Sequence, residues 1–207
     1  ELQGRGIVHA VPLPEHGPRV VVRHARHGGL LAPLTGDRFL APTRAPHELR
    51  VAVRLADAGV PTPRVVAYAV YPAGPGLRRA DVATAEIAGG LDLPAALAAW
   101  PEARAELLHA VGQLIATLGR AGARHPDLNV KNVLLTPGSS TTAPQAYVLD
   151  VDRVRFRAPG DAATSEANVR RLLRSARKWG ARHGTLLDAA EMAALRHDAR
   201  TLAPEAA

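Results

Sequence analysis

Asp127 and Asn132 stand five residues apart in His125-Pro126-Asp127-Leu128-Asn129-Val130-Lys131-Asn132, and a second apolar run, Tyr147-Val148-Leu149, ends in another carboxylate, Asp150. These side chains suit the transfer of a terminal phosphoryl group. That chemistry needs a carboxylate beside the acceptor hydroxyl, to orient it and take its proton. It also needs oxygen ligands that fix Mg²⁺ against the phosphates of a nucleotide. Asp127 suits the first task; Asn132 and Asp150 suit the second. Each also has an ordinary reading, Asp127 as a turn residue before a strand and Asp150 as a solvated strand-end carboxylate. The joint spacing is specific where either half is not.

The elements that must position these residues surround them. Val133-Leu134-Leu135 and Ala146 to Leu149 predict two strands joined by a polar turn, which brings Asp127 and Asp150 to one edge. Ahead of the loop, Leu107, Leu108, Val111, Leu114, Ile115 and Leu118 form one apolar stripe on a helix predicted over Glu102 to Ala121. His125 is expected to be structural, packing against or hydrogen-bonding the Asp150 region, and not catalytic. Asn129 and Asp152 are candidates for extra polar contacts or a second-metal ligand.

The first part of the chain reads as β-rich. Leu2 to Leu13, a Pro/Gly turn and Val20-Val21-Val22-Arg23 predict a hairpin that starts with Gly4 and Gly6. Two readings fit this Gly-x-Gly: an ordinary turn, or a loop whose backbone N–H groups approach phosphate closely. Arg23 is the candidate phosphate cation, with Arg26 as a competitor. Pro46 to Gly59 has apolar residues at helical spacing and a Gly stop. Glu48 in its first turn either complements the helix dipole or pairs with Arg23. Strands follow from Val65 and from Ala80 to Ile87, and a nucleotide base is expected at the backbone around Glu86 to Ala88. Gly89-Gly90 marks the expected hinge, giving residues 1–88 as a small β-rich lobe and 89–207 as a mostly helical one.

Composition narrows the partners. A formal charge of +7 and 26 Lys and Arg favour anionic ligands or surfaces. The chain has no cysteine, which excludes disulfides and thiolate metal sites and fits a reducing compartment. No stretch approaches the ~20 apolar residues of a membrane span, and no signal peptide is expected. A cytoplasmic location is expected, with peripheral attachment to a membrane surface open. The basic helix over Ala176 to Ala207 is a candidate for that contact.

Taken in order, these segments resemble the lipopolysaccharide core kinases, the group of 3-deoxy-D-manno-octulosonic acid (Kdo) kinase and its relatives acting on core heptose. The resemblance lies in Gly4-Arg5-Gly6, Val22-Arg23-His24, Gly36-Asp37-Arg38-Phe39-Leu40, Glu48 and Gly59-Val60-Pro61-Thr62-Pro63. His125-Pro126-Asp127-Leu128-Asn129 with Asn132, Leu149-Asp150-Val151-Asp152-Arg153 and Asn168 to Ser175 complete it. It implies an α+β, protein-kinase-like two-lobe fold. It implies ATP and Mg²⁺ as cofactors, and Arg23 in the place where protein kinases carry lysine. The implied reaction is phosphorylation of a sugar hydroxyl, for Kdo the 4-hydroxyl, on a lipid A precursor at the cytoplasmic face of the inner membrane. No nucleic-acid partner is expected. Two alternatives are a phosphotransferase for another small acceptor and a non-catalytic nucleotide- or lipopolysaccharide-binding scaffold.

Overall fold

A computed structural model describes residues 2–3, 7–12, 19–26, 36–139 and 141–201. Gly4 and Gly6 lie outside the described residues. The chain divides into two compact units, Glu1–Arg54 with Pro63–Glu86, and Leu55–Thr62 with Ile87–Ala207.

The first unit is an antiparallel sheet and most of one helix. β1 (Leu2–Gln3), β2 (Ile7–Pro12), β3 (Arg19–His24), β6 (Leu77–Ala85) and β4 (Phe39–Leu40) follow in that spatial order, and β5 (Val65–Pro72) pairs with β6. The β-branched run of β3 suits a central strand, between β2 and β6. β5 and β6 form a hairpin closed by the Ala73 N–H donating to the Leu77 carbonyl at 3.0 Å and the Leu77 N–H to the Gly74 carbonyl at 3.1 Å. Helix α1 (Ala45–Asp57) begins in this unit, and its last turn belongs to the second. Ala45 of α1 is buried with Ala80 and Val82 of β6, against Ala25 and Val65.

The second unit is built around α3 (Arg104–Arg120), preceded by a 3₁₀ turn at Pro101–Ala103. All six residues of the apolar stripe are buried, and so are Ala110, Gly112, Ala116 and Gly119. The stripe is therefore wider than one face, because α3 packs on α4 (Ala162–His183), α5 (Ala189–Thr201) and β10 (Gln145–Val148). Burying each such Leu or Ile stabilises the fold by about 1.5–3 kcal/mol.

Two small ladders then frame the loop. β9 (Val133–Thr136) pairs with β10 and with β7 (Leu91–Asp92), while β8 (Ala123–Arg124) pairs with β11 (Arg155–Phe156). Asp92 caps α2 (Leu93–Ala99) by accepting from the Ala95 N–H. Gly122 makes the turn from α3 into β8 at φ 63°, where an added Cβ would meet the Arg157 carbonyl oxygen at 2.4 Å. Only glycine fits there. The helix expected over Ala176 to Ala207 is instead two: α4 starts earlier, and the chain leaves it at Gly184 before α5.

Candidate active site

Three local devices hold the loop from Ala123 to Asn132. His125 is 1% exposed; its Nε2 bonds the Leu149 carbonyl at 3.0 Å and its Nδ1 accepts from the Asp127 N–H at 3.3 Å. This pattern is that of the neutral imidazole, and burial pushes the His125 pKa below 6.5 despite the Leu149 carbonyl and the nearby carboxylates. The structural part expected of His125 is what the geometry shows. Asn168 of α4 accepts from the His125 N–H and donates to the Ala123 carbonyl, both at 2.9 Å. The Asp127 carbonyl accepts from Asn129 Nδ2 and Asn132 Nδ2, each at 3.0 Å.

These bonds also bring Asp150 to the loop. Leu149 N–H donates to the Asn132 carbonyl at 2.9 Å, so the residue before Asp150 is tied to Asn132 through the backbone. Asp150 is the sole non-glycine residue with positive φ among the described residues, at 59°. An L-residue in the left-handed region is uncommon, and such outliers gather at functional sites. Asp127, Asn132 and Asp150 therefore share one edge of the second unit.

Asn132 spends Nδ2 on the Asp127 carbonyl and keeps its Oδ1 without a hydrogen bond among the described residues. An amide oxygen and a carboxylate suit Mg²⁺, which takes one or two protein oxygens and completes its shell with water and phosphate. Among the described residues no three His, Cys, Asp or Glu side chains gather as a metal cage, and a magnesium–nucleotide complex needs none.

Asp127 has a partner that the sequence did not announce. Arg171 of α4 donates Nη2 to Asp127 Oδ1 at 2.7 Å and Nε to the Pro126 carbonyl at 3.1 Å. With Oδ1 so engaged, Oδ2 makes no hydrogen bond among the described residues. Asn168, Arg171 and Ser175, which accepts from the Val130 N–H, repeat along one face of α4. Polar residues at this helical spacing among Val169, Leu172 and Leu173 were the available signal.

In the first unit, Arg23 Nη2 reaches both carboxylate oxygens of Glu48, at 2.7 and 2.8 Å. Glu48 is buried, 6% exposed, so it acts as a partner of Arg23 and not merely as a helix-end charge. Arg26 is exposed beyond the end of β3. Glu86 has its N–H on the Arg19 carbonyl at 2.9 Å and its carboxylate on Arg19 Nε at 2.6 Å.

An antiparallel sheet whose arginine binds a buried glutamate, followed by a helical unit that carries this loop and a left-handed Asp, defines a protein-kinase-like phosphotransferase. A solved structure of WaaP in complex with acyl carrier protein shares the fold, with a TM-score of 0.55 at 20% identity over 96% of this chain and 89% of that one. The chain belongs to the lipopolysaccharide kinase (Kdo/WaaP) family, whose model matches residues 1–194. It is 31% identical to a 3-deoxy-D-manno-octulosonic acid kinase of Vibrio parahaemolyticus over 179 residues, which are 84% of this chain and 71% of that protein. It is 32% identical to the same enzyme of Actinobacillus succinogenes over 187 residues, 88% and 76% of the two chains. As a member it is an ATP-dependent kinase that phosphorylates a sugar hydroxyl of the lipopolysaccharide core.

Proposed function

We propose that this kinase transfers the terminal phosphoryl group of ATP to the 4-hydroxyl of Kdo on a lipid A precursor. The observation that carries this reading is the convergence of Asp127, Asn132 and Asp150 through the His125–Leu149 and Leu149–Asn132 bonds. Asp127 orients the sugar hydroxyl and takes its proton through Oδ2. Asn132 Oδ1 and the Asp150 carboxylate would hold Mg²⁺, which would supply neutralisation of charge on the nucleotide phosphates. Arg23, set by Glu48, contacts those phosphates, with Gly4 and Gly6 assigned to the loop over them and the Glu86 carbonyl to the base. Residues 1–88 then serve as the nucleotide-covering lobe and 89–207 as the catalytic one.

The same reading places the enzyme peripherally on the cytoplasmic face of the inner membrane. Among the described residues no helix is long and apolar enough to cross a bilayer. Exposed Arg170, Arg174, Arg177, Lys178 and Arg182 line one side of α4, and none pairs with an acid among the described residues. Such a stripe suits anionic headgroups, at about 1 kcal/mol per cation near the surface.

Incubation with γ-labelled ATP and a panel of Kdo-bearing lipid A precursor, heptose-bearing core and amino sugars tests the assignment. Label on the Kdo precursor, placed on the 4-oxygen by mass spectrometry and NMR, is the expected result. Preferential labelling of another acceptor would overturn it.

A further inference from the structure

On the same loop as Asp127, a cavity of about 440 Å³ opens among Pro94 and Leu97 of α2, Arg104, Lys131, and Trp179 and His183 near the end of α4. This volume lies within the ~300–1,000 Å³ range of small-molecule sites. Lys131 Nζ sits 4.9 Å from the centroid of the Trp179 ring, inside the ~6 Å reach of a cation–π contact. The ammonium is held there from below. It donates to Asp92 Oδ2 at 2.6 Å while Asp92 Oδ1 caps α2, so one carboxylate fixes both the helix and the cation. His183 stacks on Trp179 with centroids 4.3 Å apart and planes tilted by 34°.

Arg104 is committed elsewhere. Its Nε and Nη2 bond the two oxygens of Glu191 at 2.5 and 3.0 Å, and Nη2 also donates to the Leu186 carbonyl at 2.6 Å. This fixes the turn after α4 as one wall of the cavity. The groups left to meet a ligand are the Lys131 N–H groups not given to Asp92 and His183, which has no hydrogen bond among the described residues, both lying against the Trp179 ring. An ammonium supplies a charge-assisted bond to a carboxylate or phosphate oxygen.

We propose that this pocket is the acceptor-recognition subsite, which holds an anionic sugar beside Trp179 with its acidic group at Lys131 and His183. The inference rests on the kinase reading, to which Lys131 connects it, four residues after Asp127. The anion is the sugar's own carboxylate, so inorganic phosphate alone should not fill the pocket.

Trp179 is one of two tryptophans, so in a Trp100→Phe background its fluorescence reports the pocket without any turnover. Free Kdo, inorganic phosphate and ATP are titrated separately, and acceptor and ATP KM values are measured for Lys131→Gln and Trp179→Phe. Saturable quenching by Kdo is expected, together with an acceptor KM raised at least about 10-fold in Lys131→Gln, the loss of one charge-assisted bond. The ATP KM should move less than about two-fold, since the nucleotide makes no use of this bond. Absence of Kdo quenching would overturn the proposal. So would equal quenching by phosphate alone, or quenching by ATP with a raised ATP KM. The two readings fail separately. A chain that phosphorylates no acceptor sinks the kinase assignment while the titration still reads the pocket. An unchanged acceptor KM in Lys131→Gln sinks the subsite alone.

Discussion

Asp127 is held by Arg171 through two contacts, one to its carboxylate and one to the Pro126 carbonyl beside it. The side chains are 35% and 32% exposed, so solvent screens the pair and its net contribution to stability is small. Its consequence is orientation. Arg171→Ala should lower kcat by about 10- to 100-fold, the scale on which ångström misplacement of a reacting group acts. Thermal stability and the ATP KM should stay near wild type. Arg171→Lys, a point cation without the planar fork, should recover only part of the rate. Steady-state kinetics of both variants check this, and full activity in Arg171→Ala would remove Arg171 from the account.

At the scale of the element, α4 joins two faces. Asn168, Arg171 and Ser175 hold the loop, and the exposed cations from Arg170 to Arg182 face solvent. Replacing Arg170, Arg174 and Arg177 by Glu should abolish sedimentation with vesicles rich in anionic lipid and leave turnover of a detergent-solubilised acceptor intact. Undiminished vesicle binding would contradict a contact through this stripe. The α3 stripe, the β2–β3 hairpin and the strands flanking Asp150 were legible in the sequence, because apolar period and turn residues are local signals. The inward face of α4 was not. Arg170-Arg171 reads as a solvated pair, and the contact that separates the two joins residues 44 apart in sequence. The extent of α4 escaped for a similar reason, since Asp161 caps a start with little apolar pattern and Gly184 ends the helix at φ 91°. The Arg23–Glu48 pair was one of two readings until the burial of Glu48 decided between them.

Across the whole molecule, two histidines give stability opposite pH dependences. His24 Nδ1 bonds Asp81 Oδ1 at 2.5 Å and its Nε2 bonds Asp37 Oδ2 at 3.0 Å, while Tyr71 donates to Asp81 and Arg79 pairs with Asp37. Burial opposes protonation of His24, but the bonds to Asp81 and Asp37 outweigh it and raise its pKa above 6.5. Its contribution is in full below pH 6.5 and is lost as pH rises through the folded pKa. Asp37, lowered to about 2 by His24 and then by Arg79, contributes above its ordinary 3.8 and ceases to as pH falls through about 2. His125 runs the other way from His24. With its folded pKa below 6.5, its contribution is present above that value and lost as pH falls through the folded pKa. Melting temperature should therefore decline on both sides of a near-neutral maximum. His24→Asn should flatten the alkaline limb and also reduce the loss of stability that Asp37 gives as pH falls from 3.8 through about 2. An unaltered alkaline slope in that variant would exclude the network as its cause.

The central claim is that one loop carboxylate activates a sugar hydroxyl toward nucleotide phosphate. Single-turnover transfer from γ-labelled ATP to the Kdo-bearing precursor by Asp127→Asn, alongside calorimetric titration of the same variant with magnesium–ATP, tests it most directly. The account predicts transfer slowed by about 10²–10⁴-fold, the usual worth of a general base, with nucleotide affinity retained. Transfer at the wild-type rate would contradict it.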